Sequence, residues 1–281
     1  MKNHTRLTKE ELHSLRHPKE RSRFIQTIFV LLPLGVILVS LIIASLGGVL
    51  LVAPIVLFFL WFSAKLYTAF CMNNTVLVNK NSFPKAQEAI EDACTFFGYD
   101  YPVNAYVYED GSYNLKLMPL LRNKVLMLNS ELFKDGNSND ELRFLVGRFI
   151  GALASKHYRF TWLQGFLNGV EKLMIFNILL YPYERATKLS GDRMGLAMID
   201  GDICTAVHAM IKLVVGSEIA DQVNVKSFIA QERIFGREFF CWLRRALSTF
   251  PHHTTRVTEL IRFAMVRYPQ RAETMAKYLD L

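Results

Sequence analysis

The chain has 281 residues, 51% of them hydrophobic, with a net charge of +8 and a mean hydropathy of +0.18. That length exceeds one typical domain, and the apolar excess is too large for an ordinary soluble protein. Half of the net charge sits in residues 1–23, and no basic-aromatic alternation or nucleic-acid motif accompanies it, so a nucleic-acid partner is excluded.

Residues 1–23 carry Lys2, Arg6, Lys9, Arg16, Lys19, Arg21 and Arg23 against Glu10, Glu11 and Glu20. This segment reads as a basic cytoplasmic tail that holds topology and touches anionic headgroups. His13 and His17 stand at a helical spacing that could share a metal, but in such a tail they are expected to be solvated.

From Phe24 to Ala64 there is no Asp, Glu, Lys, Arg or His. The run is long enough for two spans of about twenty residues each. Gly47 and Gly48 mark a turn, which predicts antiparallel spans over 24–46 and 49–70, each kinked by a proline, Pro33 or Pro54. A re-entrant or monotopic hairpin, or one buried in a core, stays open as an alternative. A cleaved signal peptide fits poorly, because the run is too long and starts too late. The basic flank puts both termini and everything from Cys71 onward on the cytoplasmic side of a bacterial-type inner membrane, or of another cellular membrane. Cys71, Cys94, Cys204 and Cys241 have no paired spacing and are expected as reduced thiols.

Beyond the hairpin, residues 82–97 read as an amphipathic helix with Ser82 as cap, Pro84 in the first turn and Gly98 as stop. Strands are expected over 103–108, 113–118 and 124–128, the first followed by the Glu109-Asp110-Gly111 turn. Ser138 and Glu141 form a capping-box pattern ahead of an apolar helix over 139–157. Residues 162–181 read as a hydrophobic helix closed by Pro182, lying on the membrane surface or against the hairpin. Further helices are expected over 186–200, 202–215, 220–235, 238–249 and 254–267. The fold class is therefore α+β and mainly helical: a transmembrane hairpin over 24–70, then a cytoplasmic domain over 71–281 with a small β-sheet.

The order of landmarks is informative. A turn, two strands, Asn129-Ser130-Glu131-Leu132-Phe133, a capped helix and a hydrophobic segment precede Ser190-Gly191-Asp192-Arg193. Ser248-Thr249-Phe250-Pro251-His252-His253-Thr254-Thr255-Arg256 then follows. In this order, behind an N-terminal hairpin, the chain resembles the HtpX-like membrane zinc metalloproteases, relatives of the CAAX prenyl proteases. The resemblance implies a zincin-like domain whose capped helix carries H-E-x-x-H, with a third ligand, a glutamate, four residues before an Asp-Arg pair.

None of that chemistry is present. Arg148 stands where the first histidine would be, Phe149 replaces the base, Ala152 replaces the second histidine and Lys188 replaces the glutamate. Protonated guanidinium and ammonium groups cannot ligate a metal, and a phenyl or methyl group cannot move a proton. His157 lies five residues beyond Ala152, about 140° further round a helix, and His208, His252 and His253 offer no metal-ligand spacing. The expectation is a pseudoprotease without cofactor.

A buried cluster of Arg148, Lys188 and Asp192 is expected to replace the metal as the tie between two helices. The family also implies a peptide-binding edge strand of Tyr113, Asn114, Leu115, Lys116, Leu117 and Met118. The implied partners are the lipid bilayer, a membrane-protein complex and a polypeptide bound at the sheet edge. An active membrane zinc peptidase with a rearranged site is the alternative.

Overall fold

The computed structural model describes residues 5–45, 48–120, 123–160, 174–235, 238–248 and 250–279. It is mainly helical, 70% helix, with one small mixed sheet.

The first helix, α1 (Lys9–Ser14), is closed by a capping box in which Thr8 and Glu11 satisfy each other's backbone amides. Two long helices follow, α2 (Glu20–Ala44) and α3 (Gly48–Asn73), with Pro33 and Pro54 inside them. Among the described residues α2 is the one helix long and apolar enough to cross a membrane, and its most apolar window is wholly unburied. On α3, Leu51, Leu57, Phe59 and Leu60 are likewise exposed. The expected turn at Gly47 lies outside the described residues.

The segment ahead of α2 differs from the expected free tail. Leu15, His17 and Glu20 are buried. The Leu7 amide donates to the Phe96 carbonyl at 2.8 Å, the Arg16 guanidinium to Ser155 O at 3.1 Å and the His17 amide to Ser190 Oγ at 2.9 Å. Local sequence shows the charges of this segment but not the carbonyls and hydroxyl that receive them. His17 is therefore packed, not solvated, and burial with the nearby Arg193 charge lowers its pKa to about 4.

The sheet comprises β1 (Val76–Leu77), β2 (Val103–Tyr108), β3 (Leu115–Leu120) and β4 (Asn123–Asn129), in the order β1-β2-β4-β3. The β2–β4 pair is parallel and the other two are antiparallel. The third strand thus runs later than expected: Tyr113 and Asn114 lead into it, and it includes Pro119, a residue that sheets tolerate at an edge. Between β1 and β2, α4 (Pro84–Phe97) buries Ala86, Ala89, Ile90, Ala93, Phe96 and Phe97 as one helical stripe. Phe83, left-handed at φ 63°, occupies its N-cap in place of the expected Ser82, and Gly98 closes it in the same conformation.

A 3₁₀ turn (Ser130–Phe133) leads to α5 (Asn139–Ala154), whose capping box of Ser138 and Glu141 forms as the spacing predicts. Its Phe144, Leu145, Val146 and Ile150 are fully buried. The helix ends earlier than expected, because Lys156 turns the chain at φ 60°. His157 begins a 3₁₀ turn (His157–Phe160) instead of extending α5.

Residues 161–173 of the expected 162–181 helix lie outside the described residues. The described chain resumes in α6 (Met174–Met198), which runs through Pro182 instead of stopping there. The proline carbonyl accepts from the Arg23 guanidinium at 3.3 Å, and Tyr183 packs on Phe24, so the root of α2 supports this stretch. Next come α7 (Ile203–Val215), capped by Asp202, and α8 (Val225–Phe235). A separate 3₁₀ turn (Ala220–Gln222) breaks what reads in sequence as one helix over 220–235. Finally α9 (Phe239–Ala246), α10 (His253–Arg267) and an unanticipated α11 (Pro269–Leu279) complete the chain. The core lies where α5 is enclosed by α4, α6, α7 and the sheet.

Candidate functional site

Helices α5 and α6 pack closely because each presents two glycines one turn apart. A Cβ on Gly147 would stand 2.8 Å from Met198 Cβ, and one on Gly151 would stand 2.7 Å from Met194 Cβ. On α6, a Cβ on Gly195 would meet Arg148 Cγ at 2.5 Å and the Phe144 carbonyl oxygen at 2.6 Å. Side chains longer than hydrogen would force the axes apart. Gly195→Ala is expected to destabilise by about 1–3 kcal/mol, because a backbone carbonyl cannot rotate away as a side chain can. Gly35→Ala on α2, where nothing lies within 4 Å of the added methyl, serves as the control. Melting temperatures in detergent that do not separate the two variants would contradict this packing.

This contact fixes the residues at the positions where the family resemblance implies zinc chemistry. Asp192, 1% exposed, lies at its centre. Arg256 of α10 grips it with two hydrogen bonds, Nε to Oδ2 and Nη2 to Oδ1, both 2.8 Å. Arg148 of α5 adds an ion pair, its Nε 2.8 Å from Oδ1, at an angle unsuited to a hydrogen bond. Its guanidinium also lies over the rings of Phe149 and Phe144, 5.6 and 5.9 Å from their centroids.

Burial alone would push the Asp192 carboxyl up, but Arg256 and then Arg148 hold it below its ordinary range. Burial, and then the Arg256 charge, brings Arg148 down to about 10, so it stays a cation at neutral pH. Beside them burial and the two guanidiniums drop His253 to about 4, which leaves a neutral imidazole.

The third member of the cluster differs from the sequence expectation. Lys188 does not reach Asp192; its ammonium lies over the rings of Phe250 and Tyr158, 5.0 and 5.5 Å from their centroids. Arg256 takes its place. A guanidinium satisfies both carboxylate oxygens at once, whereas an ammonium can only point at them. Ala152 is buried and Phe149 is partly buried against the core. The donor set does not suit a zinc ion: two guanidiniums, an ammonium, a phenyl ring and a methyl surround one carboxylate that both arginines already occupy. Among the described residues no group of three or more His, Cys, Asp or Glu is placed to hold a metal.

Above α5, β3 forms the edge of the sheet, and among the described residues it pairs only with β4. Leu115, Lys116, Leu117 and Met118 belong to this edge; Lys116 is half-exposed and pairs with Asp110 at 3.2 Å. Tyr113 is buried beneath it, and burial with the Glu141 charge pushes its phenol well up.

Two further networks were not readable from spacing. Glu141, which sequence marks only as a cap residue, also binds the Lys212 ammonium at 2.9 Å and His208 Nδ1 at 2.6 Å. His208 Nε2 reaches Asp221 at 2.9 Å, so this histidine does have carboxylate partners. Glu20 lies 3.1 Å from His157 Nε2 and accepts a 2.5 Å hydrogen bond from Ser190 Oγ. The signal that could have marked the main contact was present, as Gly147-x-x-x-Gly151 and Gly191-x-x-x-Gly195.

No family model, no curated protein and no solved structure matches this chain.

Proposed function

We propose that the chain is a catalytically inactive relative of the HtpX-like membrane metalloproteases. It is anchored by the 24–70 hairpin and acts as a polypeptide-binding or regulatory subunit of a membrane protein complex. The observation that carries this reading is the buried Arg256–Asp192–Arg148 group. It occupies the junction of α5 and α6 where that family needs ligands and a general base. The edge strand β3 beside the capped helix remains available for binding, which needs backbone donors and acceptors and not a metal.

Membrane anchoring is supported by the exposed apolar surface of α2 and α3, far larger than a soluble monomer tolerates. The contacts of Arg16 and His17 with Ser155, Ser190 and Arg193 support a topology in which the segment before the hairpin and the domain after it share one side of the bilayer. The basic flank favours the cytoplasmic side for both.

Two measurements on the detergent-purified full chain test the reading. After purification in zinc-supplemented buffer, metal content is expected to be far below one zinc per chain, with no cleavage of unfolded casein. Stoichiometric zinc with cleavage would establish the rearranged-peptidase alternative. A photo-crosslinking residue at Lys116, on the β3 edge, is expected to capture the casein more strongly than one at exposed Lys277 on α11. Equal capture at both sites would remove the edge strand from the proposal.

A further inference from the structure

Helix α9 has an unusual exposure pattern. Its sequence, Phe239-Phe240-Cys241-Trp242-Leu243-Arg244-Arg245-Ala246, puts Phe239, Trp242 and Leu243 on one face with Phe240 at its flank. The arginines lie opposite. Phe239, Phe240 and Trp242 are 63%, 78% and 51% exposed, and none of its residues is buried. The three rings hold one another, with centroids 5.4 and 6.0 Å apart, so they form a continuous aromatic surface.

The helix is nevertheless fixed in place. Arg185 of α6 donates from Nη1 to the carbonyls of Arg245, Ala246 and Ser248 at 3.1, 3.0 and 2.9 Å. A continuous exposed aromatic face on an anchored helix favours an apolar occupant, since covering the rings removes apolar surface from water.

Position identifies that occupant. A cleft of about 310 Å³ separates α9 from the root of α2, and Lys19, Arg23, Arg185, Trp242, Arg245 and Glu259 line it. Lys19 and Arg23 stand immediately before the apolar run of the hairpin, so α9 lies at the level where that hairpin meets the headgroups. Four cations against one acid leave the cleft positive, and Glu259 already serves Arg262 at 3.0 Å.

We propose that α9 is a second, interfacial membrane contact: its Phe239–Phe240–Trp242 surface inserts among the acyl chains, and the cleft behind it takes the headgroup of an anionic phospholipid. Aromatic rings at the headgroup boundary flanked by arginines are the arrangement that an interfacial helix requires. This inference rests on the hairpin being in the membrane, and the test separates the two.

The chain contains Trp61, Trp162 and Trp242. One full-length variant keeps only Trp242 (Trp61→Phe, Trp162→Phe) and another keeps only Trp61 (Trp162→Phe, Trp242→Phe). Both are reconstituted in phosphatidylcholine vesicles containing phosphatidylglycerol, with bromine placed either shallow or deep in the acyl chains. Trp242 is expected to lose most of its emission to the shallow bromines, and Trp61 to the deep ones. Quenching of Trp61 without quenching of Trp242 overturns the inference and leaves the hairpin intact; quenching of neither removes the membrane reading as well.

The headgroup has its own arms. Omitting phosphatidylglycerol, or combining Lys19→Gln with Arg245→Gln, is expected to weaken Trp242 quenching. Equal quenching in wholly zwitterionic vesicles overturns the anionic-headgroup assignment. Loss of the phosphatidylglycerol effect on adding inorganic phosphate would overturn it too, by assigning the cleft to a free anion.

Discussion

Asp192→Ala is expected to be among the most damaging single substitutions in the domain that follows α3, costing about 3–5 kcal/mol. The loss lowers the melting temperature on the order of 10 °C for a domain of this size. The carboxylate is the only anion facing Arg148 and Arg256 in the described contacts; Asp192 and Arg256 are buried, and the Arg148 side chain is only 10% exposed. Removing it leaves two guanidiniums side by side in a low-dielectric site. The reciprocal change should behave differently. Arg148→Met leaves Asp192 with both hydrogen bonds to Arg256 and replaces a charge already stacked on Phe144 and Phe149 by an apolar chain of similar length. Its effect is expected within about 1 kcal/mol of zero, since replacing buried ions by packed apolar groups is often neutral or stabilising. Thermal melting in detergent distinguishes the pair. If Asp192→Ala melts with the parent protein, the ion group does not tie α5 to α6 and α10.

Glu141→Ala is expected to cost a comparable amount, about 3–5 kcal/mol, for a related reason. The substitution strips the buried Lys212 ammonium of its carboxylate and leaves it Asn137 Oδ1 at 2.8 Å and the face of the Tyr113 ring. It also abolishes the capping box of α5, since Glu141 Oε2 accepts from the Ser138 amide at 3.2 Å. Lys212→Met should be milder, because His208 and the Ser138 amide still face the remaining carboxylate. Urea unfolding of the two variants in detergent should therefore give a clear inequality, with Glu141→Ala the less stable. The reverse order would mean that the carboxylate and not the ammonium is the group harder to leave alone.

Both expectations concern α5, and this is consistent with the proposed loss of catalysis. In the proposed ancestry a metal would tie α5 to the segment around Lys188. Here the same two helices are held by glycine contacts at Gly147, Gly151 and Gly195 and by one carboxylate shared between two arginines. Packing and charge pairing can replace a structural role of an ion. They cannot supply a water nucleophile or a general base.

The N-terminal segment adds a second tie. Glu20 and the His17 amide meet at Ser190, two residues from Asp192, so the root of α2 is joined to the helix that carries the ion group.

What the sequence alone determined was local. The uncharged run from Phe24 to Ala64 marks the two apolar helices, because hydropathy and helical length need no tertiary partner to be recognised. Ser138 and Glu141 announce the start of α5 for the same reason, since a cap is satisfied within one turn. That Arg148, Phe149, Ala152 and Lys188 can neither ligate zinc nor serve as a base was also legible, because it follows from residue type. Only the tertiary structure decided the pairings. Arg256 meets Asp192 across 64 residues, His17 meets Ser190 across 173, and β1 joins a sheet whose other strands lie far along the chain. No periodicity encodes which cation reaches a carboxylate first. Lys188 is one helical turn from Asp192 and faces aromatic rings, while the distant Arg256 matches both oxygens and takes the site.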